Sequence, residues 1–350
     1  MATRTGMSGP GDTDLVLRVG ADGAPVTVPD AHFLFTAEFS RAGSDLVLSD
    51  ETGQTVVILD YFSAASPVDL AAPNGALLRA PVVDALAGPL APGQYAQAGA
   101  TTSAAPIGQV ETLEGTASVQ RTDGTRVSLK IGDPVFQGDV VQSGADSKLG
   151  ITFIDKTVFT LSDEARMVLD ELVYSPGGSD NSMLINLVQG TFVFVAGGVA
   201  PSGDMKVQTP VATMGIRGTT IITKVSEVDG TSTLSLDIDP NGETGFYEII
   251  DTASGLVLAT VNRTGEKWVI TPPSQPGQPP NILTTPKNDN ELFNDQEALQ
   301  FLYQTFQVAS ARFANSPNED GNANSQSSGP NSVPGSGVDS GVDPNALDPL

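Results

Sequence analysis

The residues best placed to do chemistry lie in one stretch, DIDPNGETGFYE at residues 237–248, which fits D-x-[DN]-x-[DN]-G-x5-E throughout. In that spacing Asp237, Asp239 and Asn241 offer side-chain oxygens, Gly242 permits a sharp turn, and Glu248 can close the shell with both carboxylate oxygens, which is the chemistry that holds Ca²⁺. The flanks read differently. Leu234, Leu236 and Ile238 alternate as a strand does and 247–250 reads as another strand, whereas an EF-hand needs a helix on each side; Pro240 and Thr244 also suit a turn. We therefore expect a solvated hairpin loop that binds Ca²⁺ weakly or not at all, and no other cofactor.

Acid/base pairs can be drawn from Glu164, Asp170 and Glu171, but no spacing sets two carboxylates across a cleft. With 41 Asp and Glu against 17 Lys and Arg, such neighbours read as a solvated face. His32 is the only histidine and has no Ser or Cys signature to partner it, so it reads as a surface or packing residue opening a strand over 32–39. The chain has no cysteine, which excludes thiolate nucleophiles, Cys-ligated zinc and iron–sulfur clusters. No phosphate-cradling glycine loop follows a strand and opens a helix. The expectation is a protein that is not an enzyme. A net charge of −24 repels nucleic-acid phosphates and anionic lipid, and no run of about 18 apolar residues offers a transmembrane segment.

Arg217, enclosed by Gly215 and Gly218 and preceded by Thr209-Pro210, is the cation of most interest. Its guanidinium fork suits neighbouring carbonyls or an acidic side chain at a strand crossing; recognition of a ligand carboxylate is the alternative.

The elements that must position these residues are strands. Over 107–170 the apolar positions Leu113, Ala117 and Val119 share one parity, as do Val127, Leu129 and Ile131, and again Leu149, Ile151 and Phe153. Asp123-Gly124, Gly132-Asp133 and Gly138-Asp139 separate the runs, each glycine supplying a positive φ and each Asp bonding nearby amides, so these pairs mark strand reversals.

The order of those pairs, continued by Ser143-Gly144, Leu187-Val188-Gln189-Gly190, Val207-Gln208-Thr209-Pro210 and Gly215-Ile216-Arg217-Gly218-Thr219, resembles the FecR domain family over roughly 109–220, with a trailing part to Ile270. The resemblance implies a β domain in which Gly132, Asp133, Gly138, Asp139, Gly190, Gly215, Arg217, Gly218 and Thr219 are structural. One departure is Asp155-Lys156, where the family usually has Asp-Gly. The best-known members resemble an assembly of a cytoplasmic sigma-regulating part, one membrane helix and a periplasmic domain. The first two have no counterpart in this sequence, so the resemblance implies the β domain and not the iron-citrate signalling role.

Around that domain we expect a small N-terminal β module at 14–88, a linker at 89–106, the FecR-like domain at 107–270, a Pro-rich polyproline-like spacer at 271–290, a helix at 291–314 and a disordered tail at 315–350. A short helix fits 80–87. For the C-terminal helix Asn294 can cap with Glu297, Phe293 and Ala298 fit a hydrophobic staple, and Leu299, Leu302, Tyr303 and Phe306 form an apolar face suited to docking on the β body. The fold class is mainly β, either a rolled two-layer sandwich or a short solenoid-like domain.

The N-terminal module and linker are more loosely similar to the N-terminal regions of large type I secreted surface proteins and to the retention modules of biofilm adhesins. The leading functional expectation is protein–protein association with an unidentified partner at the cell envelope or surface, as an export or retention head module reaching the outside by a type I route without a cleaved signal. The alternatives are a soluble signalling module related to FecR iron-dicitrate sensing, with a cytoplasmic location, and lastly a carbohydrate-active enzyme.

Overall fold

The computed structural model describes residues 15–20, 22–64, 67–89, 105–202, 204–273 and 278–315. Most of the expected linker and all but Asn315 of the expected tail fall outside them.

The N-terminal segment contains β1 (Leu15–Arg18), β2 (Val26–Thr27), α1 (Ala31–Thr36), β3 (Glu38–Ala42), β4 (Asp45–Ser49), β5 (Thr55–Leu59), β6 (Leu70–Ala71), β7 (Leu77–Leu78) and α2 (Ala80–Ala87). One sheet has the order β1-β5-β4-β3 and a smaller one β2-β6-β7. The expected strand over 32–39 is instead α1 followed by the start of β3. Phe33, Leu34 and Phe35 are all buried, which an alternating strand does not give, and the Asp30 carboxylate caps the helix by accepting from the Phe33 amide at 3.0 Å.

The larger body opens with β8 (Gly108–Glu114), β9 (Ala117–Gln120), β10 (Arg126–Ser128), β11 (Pro134–Val135), β12 (Val140–Ser143), β13 (Lys148–Phe153) and β14 (Val158–Leu161). It continues through β15 (Arg166–Val173), β16 (Ser182–Val195), β17 (Met205–Gln208), β18 (Thr213–Ile216), β19 (Thr220–Val225) and β20 (Ser232–Asp237). It closes with β21 (Tyr247–Ile250), β22 (Val257–Val261), β23 (Glu266–Thr271), β24 (Asn281–Pro286) and the helix α3 (Asp289–Asn315).

The registers define two sheets that share the long strand β16. The first runs β11-β8-β13-β14-β16-β19-β20-β23-β24. The second runs β10-β9-β12-β15-β16-β17-β18-β21-β22. Successive strands cross from sheet to sheet at corners. The corners at Gly115, 144–147, 162–165 and Gly190 lie along one side. Those of the second half, at 217–219, 238–246 and 262–265, lie along the other, because Gly190 pairs with Val225 at one end of β19 and Val195 with Thr220 at the other. The result is a rolled two-layer body rather than a solenoid.

Alternation within the first sheet places Phe159, Phe192, Phe194 and Ile221 in the inner core, where the rings of Phe159 and Phe194 stack at 4.5 Å. Each such side chain stabilises the fold by about 2–3 kcal/mol through burial. Val158, Val193, Val195 and Ile222 point the opposite way and meet Leu299, Leu302 and Ala309 of α3. The helix thus covers the outer face, which explains why Gly150, Thr152 and Thr160 are buried although their parity is outward.

Three sequence expectations differ from the structure in detail. The helix starts at Asp289 and is capped by Asn288, whose Oδ1 accepts from the Glu291 amide at 3.0 Å while Glu291 Oε2 accepts from the Asn288 amide at 2.9 Å; Phe293 is left 69% exposed rather than stapled. Within the expected spacer, 281–286 is not polyproline-like but is β24, held antiparallel on β23. The parity at Val127, Leu129 and Ile131 marks no half-buried strand: β10 is three exposed residues and Ile131 sits in the following turn, 65% exposed. No helix among the described residues is long and apolar enough to cross a membrane.

Candidate functional site

The residues singled out by the sequence converge at the corner where β18 passes to β19 and β20 to β21. β18 and β21 pair Gly215 with Glu248 and Ile216 with Tyr247, so the chain brings residues more than thirty positions apart into one turn cluster. Arg217 Nη1 donates to the Ile216 carbonyl at 3.1 Å, and Nη2 lies 3.5 Å from Glu248 Oε2. Gly218 has φ +78, and its carbonyl lies so near Gly245 that a Cβ there would sit 1.4 Å away, leaving no room for any side chain at the crossing. Thr219 is fully buried behind them and its carbonyl accepts from the Ala196 amide at 3.3 Å.

The stretch 237–248 is not a hairpin. β20 pairs with β19 and β23 in the first sheet, β21 with β18 and β22 in the second, and the segment between them is a corner loop. Strand parity is the same on both sides in either arrangement, so the sequence could not separate them. The four candidate oxygen donors are engaged separately. Asp239 Oδ1 accepts from Thr220 Oγ1 at 2.7 Å, Asp237 Oδ1 from the Ile238 amide at 2.7 Å, Asn241 Oδ1 from the Glu243 amide at 3.2 Å, and Glu248 faces Arg217. Burial pushes the Asp239 carboxyl above its usual range, opposed by the Thr220 hydrogen bond. Gly242 turns the loop at φ +86. Among the described residues no group of three or more His, Asp or Glu side chains is gathered where it could hold a metal ion.

The remaining glycine and aspartate positions are turn and corner residues. Gly132 and Gly138 have φ +92 and +84, and Asp133 Oδ2 accepts from the Lys130 amide at 2.8 Å. The Asp139 carboxylate is 1% exposed, accepts from the Phe136 amide at 2.7 Å and pairs with the Arg121 guanidinium. Burial raises its pKa, against the lowering pull of the Phe136 amide and Arg121. Gly190, at φ +103, bends β16 from one sheet to the other, and a Cβ there would lie 2.4 Å from Ala165 Cα. At Asp155-Lys156 the turn forms with Lys156 itself at φ +70, its amide donating to the Phe153 carbonyl at 3.0 Å.

Of the three candidate acid/base carboxylates, those of Asp170 and Glu171 are held in hydrogen bonds, and Glu164 lines an open hollow with Asp163, Lys224 and Glu227. Asp170 accepts from Asn186 Nδ2 at 2.9 Å and Glu171 from Ser182 Oγ at 2.5 Å, while Glu164 contributes its carbonyl to Gln189 Nε2 at 3.0 Å. His32 Nδ1 is 3.2 Å from the Glu227 carbonyl. A cleft of about 650 Å³ lies between the small N-terminal sheet and the turns of the body; its charged lining is Arg79, paired with Asp69 at 2.8 Å, and Asp251. It presents no carboxylate pair.

Two arrangements escaped the sequence reading. Arg166 reaches from β15 to the carbonyls ending α1, a role signalled only by a lone cation at the head of the apolar run RMVLDELV. The first sheet's outer face also gathers lysines under the acidic side of α3. Lys148 meets Glu297 at 2.7 Å, Lys224 and Lys287 each meet Asp295 at 2.8 Å, and Lys267 pairs with Glu291. Their spacing in sequence carries no hint of this.

Residues 139–236 match the family described as FecR protein, a span running from the turn before β12 through most of β20 and so through both sheets. The chain carries a FecR domain, in agreement with the order of its turn glycines. No curated protein matches the chain. Two crystal structures of a "putative anti-sigma factor" from Parabacteroides distasonis ATCC 8503, at 1.65 and 2.50 Å resolution, are similar at 15% identity with a TM-score of 0.32. The likeness covers 44% of this chain and spans 62% of that one, and it is too slight to bear on fold or partner.

Proposed function

We propose that this FecR-domain protein is a regulatory module that acts by holding a protein partner rather than by transforming a substrate. The observation that carries the reading is the FecR match over residues 139–236, which occupies the structural centre of the rolled body. The geometry supports it. Several of the charged groups singled out as candidates are committed to the fold: Arg217 to Glu248, Asp139 to Arg121, Asp239 to Thr220 and Asp170 to Asn186. A site for general acid/base work needs such groups facing a cleft.

A FecR domain favours the signalling reading over a surface or export head. The second reading keeps one support, the net charge of −24 in a chain without cysteine, which suits passage as an unfolded chain and solubility outside the cell. Deleting the gene and complementing it with the intact chain separates the two. A regulator changes a defined set of transcripts, restored on complementation. Unchanged transcripts, together with loss of a protein from the cell surface, would sink the regulatory reading and establish the other.

A further inference from the structure

Among the described residues four strands bound the body: β11 and β24 in the first sheet, β10 and β22 in the second. Three are blunted in the ways natural edges are. β11 is two residues beginning with Pro134, β10 is three residues beginning with Arg126, and β24 ends at Pro286 and runs into α3. β22 neither opens on a proline or a charge nor runs into a helix, and its one irregularity is a slip of register against β21 at Leu258. It reads Val-Leu-Ala-Thr-Val, with no charge and no proline, and among the described residues it pairs with β21 alone. Leu256 and Val257 are 66% and 52% exposed beside it, and Ala259 is only half-buried although it packs against the core. Such an edge offers unpaired amides and carbonyls alongside apolar side chains, a template for another strand.

We propose that β22 pairs antiparallel with β22 of a second copy of this chain about a two-fold axis, joining the second sheets of two molecules into one. An antiparallel edge is self-complementary under a two-fold, so the same patch serves both copies. In a register centred on Ala259, Val257 faces the partner's Val261, and Arg263 comes against the partner's 251–255 turn. Among the described residues neither Arg263 nor Asp251 makes an ion pair; the Asp251 carboxylate accepts from the Ala253 amide at 3.3 Å and the Ser254 amide at 3.2 Å. The two-fold supplies both with opposite charge, twice. Repulsion between two chains of charge −24 does not prevent this at physiological ionic strength, where screening acts beyond about 8 Å and the paired strand itself is uncharged. The dimer stands or falls independently of the regulatory reading.

Sedimentation equilibrium of the full chain across a concentration series tests the pairing, with Val257→Lys/Thr260→Lys as the comparison. Both positions are exposed, so the variant keeps its fold, which circular dichroism checks. The expected result is a mass approaching twice the monomer for the natural chain and association at least about tenfold weaker for the variant, because lysines on an edge oppose strand addition. Since the chain lacks cysteine, single cysteines introduced in turn over 256–262 read the register directly: disulfide-linked dimer should peak for Ala259→Cys and fall away on both sides. A chain that stays monomeric throughout overturns the proposal. So does a dimer indifferent to the two lysines, or one whose cross-linking peaks elsewhere. A monomer whose β22 amides resist hydrogen exchange would place a segment of the same chain on the edge, which also overturns it.

Discussion

Arg166 Nη1 donates to the carbonyl of Ala37 at 3.0 Å, joining the body of the protein to the end of α1. The same guanidinium reaches the carbonyls of Phe35 at 3.5 Å and Thr36 at 3.4 Å, so one buried cation satisfies acceptors that a helix end leaves open. Burial draws its pKa down and Glu38, 3.9 Å away, draws it up. The apolar residues of the N-terminal sheets and of the rolled body also pack into one core.

Replacing Arg166 with Met should lower stability by about 2–4 kcal/mol, since several buried carbonyls lose their donor. Urea unfolding measures the loss, and limited proteolysis should show earlier cleavage within 15–89. Arg166→Lys should recover only part of it, because a single ammonium nitrogen cannot span the positions that Nη1 and Nη2 reach separately.

Gly190→Ala should be among the most damaging single changes, costing about 3 kcal/mol or more. The new methyl would lie 2.4 Å from Ala165 Cα in a backbone at φ +103, and the neighbour is main chain that cannot turn aside. A thermal melt of the variant close to that of the natural protein would show that β16 does not bend there.

Asp139 predicts a pH dependence. Its folded pKa is raised, first by burial and against the Phe136 amide and Arg121, so the native state binds its proton more tightly than the unfolded chain does. The stability this titration contributes is full below the unfolded carboxylate pKa and is lost as pH rises through the higher folded value. The stability advantage of the natural chain over Asp139→Asn should therefore shrink as pH rises through that window. An advantage that grows instead would mean that the Arg121 pairing outweighs desolvation.

Lys156→Gly should raise stability by about 0.5–1 kcal/mol, because Lys156 occupies φ +70 where glycine carries no steric penalty. The gain is reduced by loss of the ammonium 5.6 Å from the Phe313 ring. Chemical denaturation of the two chains side by side measures the balance.

The corner loop at 237–248 should bind Ca²⁺ no more tightly than about 10⁻⁵ M by calorimetry, since sensor-class loops bind at or below that level. Glu248→Gln should cost less than about 1 kcal/mol, since a partly exposed ion pair is worth little. Tighter binding that vanished in Glu248→Gln would reinstate the calcium site.

What the sequence determined by itself is local. Period-two apolar runs and Gly-Asp pairs specify strands and reversals because backbone geometry and positive φ act within a few residues, and their order sufficed to point to a FecR domain. The helix over 80–87 was legible for the same reason, with Pro81 in its first turn and Gly88 at its end. Tertiary structure alone decided which sheet each strand joins, turning the expected hairpin at 237–248 into a corner. It also decided that Phe33, Leu34 and Phe35 bury together as a helix, and that Arg166 finds its carbonyls some 130 residues away. The outward face of the first sheet likewise became a second buried face only once α3 lay upon it. These outcomes depend on contacts between segments remote in sequence, and a residue's own periodicity carries no information about what will pack against it.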